Sequence, residues 1–137
     1  MTDHAQPLEL FRFDDEGQSV SVRMEGGPPS VIGDDRYHGA EIVVESGFVS
    51  GRVRLVLSLE DLDEWGRCLD TLASGEGVEW PPDERTAWLD IVPDDPMEVT
   101  VHDTPSTQVA VRVPIDAAED WPAANRLRLD RVRRAFG

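Results

Sequence analysis

Apolar and polar positions alternate near the start of this chain with the period of a pleated strand. In residues 19–24, Val20, Val22 and Met24 point one way and Ser19, Ser21 and Arg23 the other, as expected of an antiparallel strand buried on one face. Residues 8–13 (Leu-Glu-Leu-Phe-Arg-Phe) read as its hairpin partner, joined through the turn Asp14-Asp15-Glu16-Gly17. Residues 25–39 break the alternation with Gly26-Gly27-Pro28-Pro29 and Gly33-Asp34-Asp35. They are predicted to be a long loop with a short extended piece at Val31-Ile32, and long loops are where function is first sought. Alternation returns in 40–45 (Ile42, Val44) and 52–57 (Val53, Leu55, Leu57), joined by Ser46–Gly51 as a tight hairpin with a bulge.

At Ser58 the period changes from two to 3.6. Ser58 reads as an N-cap with Asp61 three residues on, and Leu59, Leu62, Trp65, Leu69, Leu72 and Ala73 make one apolar face up to the stop at Gly75. Short strands are predicted near 78–80, 86–92, 97–102 and 108–113. The last two alternate most clearly, with Met97, Val99 and Val101 against Val109, Val111 and Val113. A final helix is predicted over 119–135. Pro122 lies in its first turn, Trp121, Leu129, Val132, Ala135 and Phe136 on one side, and Arg126, Arg133 and Arg134 on an outer basic face. The order predicts an α+β fold: a mostly antiparallel sheet of seven or eight strands, built as two hairpins, a helix and a meander, with a central helix and a C-terminal Arg-rich helix. At 137 residues the chain is one domain, 1–137, in which 1–7 read as a flexible tail.

Charge narrows the partners. The chain holds 28 acidic and 13 basic residues, a net −15, and every basic residue is arginine. Such a surface repels nucleic acid and anionic membranes and attracts basic proteins. No apolar run approaches the roughly 20 residues of a membrane span. A single Cys, no internal disulfide and no visible signal sequence point to the cytoplasm. Five arginines against Asp130 in residues 126–137 make a basic tail, which is expected to fold back on the acidic body.

The residues hold no recognisable catalytic constellation. His4, His38 and His102 lie more than thirty residues apart, so no zinc spacing is present and no cofactor is called for. An enzyme would have to bring His38 or His102 together with Cys68 or carboxylates through the fold. The acidic runs sit at predicted turns and lack calcium-loop spacing. Trp80, beside Pro81-Pro82, reads either as an exposed interface anchor or as packing beneath a helix.

The stretches YHGAEIVVESGFVSGRVRLVLSLEDLDEWGRCLDTL (Tyr37–Leu72) and VHDTPSTQVAVRVPIDAAEDWPAANRLRLDRVRRAF (Val101–Phe136) resemble a family of small acidic actinobacterial proteins catalogued as a domain of unknown function. The resemblance transfers no functional residue. In size, acidity and element order the chain is also similar to small immunity proteins that neutralise bacterial toxins. The expected function is thus a non-enzymatic binding domain for a basic protein, with an immunity-type inhibitor as its most concrete form. Candidate contacts are Asp34, Asp35 and Tyr37 in one loop and Trp80, Asp83 and Glu84 in another. An accessory or self-associating domain, and an enzyme using His38 or His102, are the alternatives.

Overall fold

In a computed structural model, which describes residues 8–82, 86–104 and 106–136, nine strands form two antiparallel sheets with two helices packed on them. The first sheet holds β1 (Glu9–Asp14), β2 (Ser19–Met24), β3 (Ser30–Ile32), β4 (Asp35–Glu45) and β5 (Ser50–Ser58). Helix α1 (Leu59–Ala73) follows. The second sheet, ordered as in the chain, holds β6 (Val78–Trp80), β7 (Trp88–Val92), β8 (Met97–Asp103) and β9 (Val109–Ile115), and α2 (Trp121–Phe136) closes the fold. The α+β class is as predicted. The single run of strands divides into two sheets because α1 intervenes after β5 and the meander restarts beyond it. Residues 1–7, read as a tail, lie outside the described residues.

The inner faces of both sheets and one stripe of each helix share one core. Phe11 and Phe13 of β1, Val20, Val22 and Met24 of β2, and Ala40, Ile42 and Val44 of β4 bury the predicted alternation. Phe11 stacks on Trp65 of α1 at 4.1 Å between ring centres, and Trp80 completes the cluster at 5.7 Å from Phe11 and 5.4 Å from Trp65. The capping box of α1 is present in full. Ser58 Oγ accepts from the Asp61 N–H at 3.2 Å, and the Asp61 carboxylate accepts from the Ser58 N–H at 2.9 Å, a device that stabilises a helix start by about 1 kcal/mol. The predicted helical face holds from Leu62 to Leu72, whereas Leu59 and Ala73 at the two ends are exposed.

Helix α2 lies antiparallel to α1 and along β1. Arg126 pairs with Asp70 and donates to the Gly66 carbonyl, and Arg133 reaches Asp63 at 3.3 Å. The helices approach at Gly66, where a Cβ would come within 3.1 Å of the Arg133 guanidinium and 3.4 Å of Leu129. Arg126 and Arg133 therefore face α1 rather than forming an outer basic face, because two carboxylates of α1 stand opposite them. The basic tail folds back on the body.

Between Trp121 and Leu129 the buried stripe of α2 carries Asn125, fully buried. Its Oδ1 accepts from the Arg12 N–H at 2.8 Å and its Nδ2 donates to the Arg12 carbonyl at 3.1 Å. One side chain thus takes the place of a neighbouring strand on the outer edge of β1 and satisfies main-chain groups that an edge would leave open.

Candidate interaction surface

The predicted long loop at 25–39 is mostly strand. β4 runs eleven residues and begins at Asp35, five residues earlier than its alternation suggested. Its second part (40–45) pairs with β2, its first part (35–37) with β3, and the whole length from Tyr37 to Glu45 with β5 on the other side. Gly26-Gly27-Pro28-Pro29 separates β2 from β3, which lie in line along the same side of β4, since proline has no N–H to continue a ladder and Gly27 sits at φ +105°. β3 then returns through Gly33-Asp34, with Gly33 at φ +64°, as a two-residue hairpin turn of mirror-image type needs. The result is an arm, residues 30–37, standing beyond the end of β2.

The arm carries three of the expected contact residues. Asp34 and Asp35 are exposed at its tip, and Tyr37 is half-buried on its outer face between Ser30 and Ser58. Sequence reasoning missed the apolar residues beside them. By register, Ile32, Tyr37 and Val56 share the outer face in a diagonal row, with Ile32 68% and Val56 50% exposed. Val31, 64% exposed, faces the other way. The short extended piece expected at Val31-Ile32 is β3; its pairing with β4 was not visible, because a three-residue strand is too short to show a period.

Of the second expected loop, Trp80 alone is among the described residues. Trp80 is fully buried in the aromatic cluster and its indole N–H donates to the Asp61 carbonyl at 2.9 Å, so it packs beneath α1 rather than standing exposed. Asp83 and Glu84 lie outside the described residues.

Below the arm, the outer face of the first sheet is a lattice of ion pairs. Arg54 holds Glu25 through two hydrogen bonds at 2.8 and 3.0 Å, Arg52 stands 3.9 Å from Glu41, Arg23 3.8 Å from Glu45, and Arg12 contacts both Glu9 and Asp14. Elsewhere Arg67 pairs with Glu64, Arg112 with Glu98 and Arg128 with Glu9. Counting Arg126 and Arg133, nine arginines among the described residues have a carboxylate of the same chain within 4.0 Å.

At the opposite end of the sheet, the β4–β5 connection is a four-residue loop without the predicted bulge; pairing runs on to Glu45 and Ser50. Ser46 Oγ accepts from the Phe48 and Val49 N–H groups and leaves Phe48 almost wholly exposed. Next to it, Asp15 joins the two sheets. Its carboxylate accepts from the N–H groups of Asp116, Gly17 and Gln18, and these bonds, that from Asp116 foremost, hold its pKa below the usual carboxylate range. A cleft of about 560 Å³ here is lined by Asp14, Asp15, Glu16, Asp116 and Ala118.

His38, His102 and the Cys68 thiol lie on separate elements. His38, on β4, is buried against Phe136 of α2, with ring centres 4.8 Å apart. His102, on β8 of the other sheet, stacks on Trp88 at 3.9 Å. Cys68 is buried within α1, and burial pushes its thiol up to about 11. Among the described residues no group of three or more His, Cys, Asp or Glu is placed to hold a metal, and no helix is long and apolar enough to cross a membrane.

A family model described as a family of unknown function, DUF5959, matches residues 8–137. The chain belongs to the DUF5959 family. No curated protein matches the sequence of this DUF5959 chain. Among solved structures, its fold is similar to that of the plant transcriptional regulator PBF-2, with a TM-score of 0.50 at 10% identity, over 89% of this chain and 78% of that one. At that identity the likeness is one of fold alone.

Proposed function

We propose that this DUF5959 chain is a non-enzymatic, cytosolic protein-binding module whose acidic exterior meets a basic protein. The observation that carries this reading is how the chain uses its arginines. Among the described residues nine of them neutralise carboxylates of the same molecule, and the net −15 is left over for whatever approaches from outside. A surplus of that size accelerates encounter with a cationic partner through long-range steering and disfavours polyanions such as nucleic acid. The fold likeness to a transcriptional regulator does not change this, because a polyanion would meet repulsion over most of the surface. In its most specific form the module is an immunity-type inhibitor that occludes a basic toxin, with Asp34, Asp35 and Tyr37 among its contacts.

Affinity capture with the immobilised chain from its native host, at about 50 and about 500 mM salt, tests the proposal; the Debye length falls several-fold over that range. A basic protein retained at low salt and released at high salt is expected. Recovery of no basic protein, or of a partner indifferent to salt, overturns the reading.

A further inference from the structure

A strand at a sheet edge offers unpaired N–H and C=O groups to any extended chain, and folded proteins blunt such edges with charge, proline or a covering group. Most edges in this fold are blunted. The Asn125 amide occupies β1. α1 packs beside β6. β9 carries Pro114, whose carbonyl accepts from Gln18 Nε2 at 2.6 Å. β5 projects Arg52 and Arg54. β3 is different. It pairs with β4 on one side and with no described strand on the other, and its residues Ser30, Val31 and Ile32 are uncharged and exposed.

We infer that the edge of β3 that pairs with no described strand receives an extended segment of a basic partner as an added strand. This deepens the acidic-binding reading and rests on it. Main-chain pairing supplies the attachment, and side chains of alternate direction on the incoming strand find Val31 on one face of the arm and Ile32 on the other. Charge selects the occupant. Asp34 and Asp35 stand at the turn that bounds β3, against Arg36 alone on the arm, and the molecule behind them carries −15. A second copy would bring the same negative charge to the contact, so a strand rich in Arg or Lys alternating with apolar residues is the fitting partner.

The test uses the full chain and labelled octapeptides of four Arg-Val, four Arg-Ser or four Glu-Val repeats, titrated by fluorescence anisotropy at about 50 mM salt. Arg-Val is expected to bind at least tenfold more tightly than Arg-Ser, and Glu-Val not to bind. The double substitution Val31→Glu/Ile32→Glu separates the mechanisms, because it removes the apolar contacts while adding negative charge at exposed positions that the core does not use. It is expected to weaken Arg-Val at least tenfold. If it leaves Arg-Val binding unchanged or stronger, charge alone holds the peptide; the β3 assignment is then overturned while the acidic-binding reading stands. Failure of both arginine peptides overturns the β3 assignment, and the acidic-binding reading also falls if capture yields no basic protein. Concentration-dependent self-association in sedimentation that the double substitution abolishes would make the occupant a second copy, and overturn the basic partner.

Discussion

Asn125→Ala is expected to destabilise the fold by about 2–3 kcal/mol. The asparagine is fully buried and its amide closes a two-bond ring with Arg12, accepting at 2.8 Å and donating at 3.1 Å. A typical hydrogen bond contributes about 0.5–1.5 kcal/mol net, and a buried group left unpaired costs about 1–3 kcal/mol. Alanine strands both main-chain groups of Arg12 under the helix. Partial access of water to the β1 edge keeps the sum toward the lower end. The gain in helix propensity offsets about 0.7 kcal/mol of it. With a urea dependence of about 1.5–2 kcal/mol/M, the midpoint of unfolding should fall by about 1–2 M at unchanged slope. Leu127→Ala, two residues on and exposed, is the control and should change stability by less than about 0.5 kcal/mol. If Asn125→Ala lowers the midpoint no further than that control does, the amide does not substitute for a strand, and the account of how β1 is closed is wrong.

Burial foremost, and then Arg36, holds the His38 pKa below its usual 6.5. The unfolded chain therefore binds the proton first, and this site subtracts stability as pH falls below about 6.5 until the folded pKa is reached. Urea midpoints of wild type and His38→Gln, compared from pH 7.5 to 5, should show the wild type losing ground on acidification; parallel curves would contradict the assignment. Cys68, with its thiol at about 11, should react with a disulfide reagent at pH 8 on the order of 100-fold more slowly than a free thiol, and at the free rate in denaturant. Fast reaction in the native state would place the thiol at the surface.

Where a segment both alternates and is long enough to show it, the sequence is a reliable guide. β1, β2, β8 and β9, and α1 with its Ser58–Asp61 capping box, lie within two residues of expectation. Three features escaped for separate reasons. The start of β4, and its pairing with the extended piece expected at Val31-Ile32, were masked by Gly26-Gly27-Pro28-Pro29, which signals a break but not that pairing resumes beyond it. Asn125 sits four residues after Trp121 and four before Leu129, so the polar intruder in an apolar stripe was visible; its partner, 113 positions away on β1, was not. Trp80 beside two prolines had an exposed and a buried reading, and only the position of α1 decides between them. Of the candidate surface, the acidic tip at Asp34 and Asp35 was legible from composition, whereas the row Ile32, Tyr37 and Val56 exists only once β4 is known to separate β3 from β5.

The arm divides labour within a single strand. From Ala40 to Val44, β4 is wedged between β2 and β5 and contributes inward side chains to the interior; from Asp35 to Tyr37 its inward support ends and the residues meet water. A foundation of that kind lets the tip be rewritten at little thermodynamic risk, since exchanging Val31, Ile32, Asp34 or Asp35 leaves every interior neighbour in place. New preferences could be fitted there one position at a time, as a tool head is changed on a fixed handle.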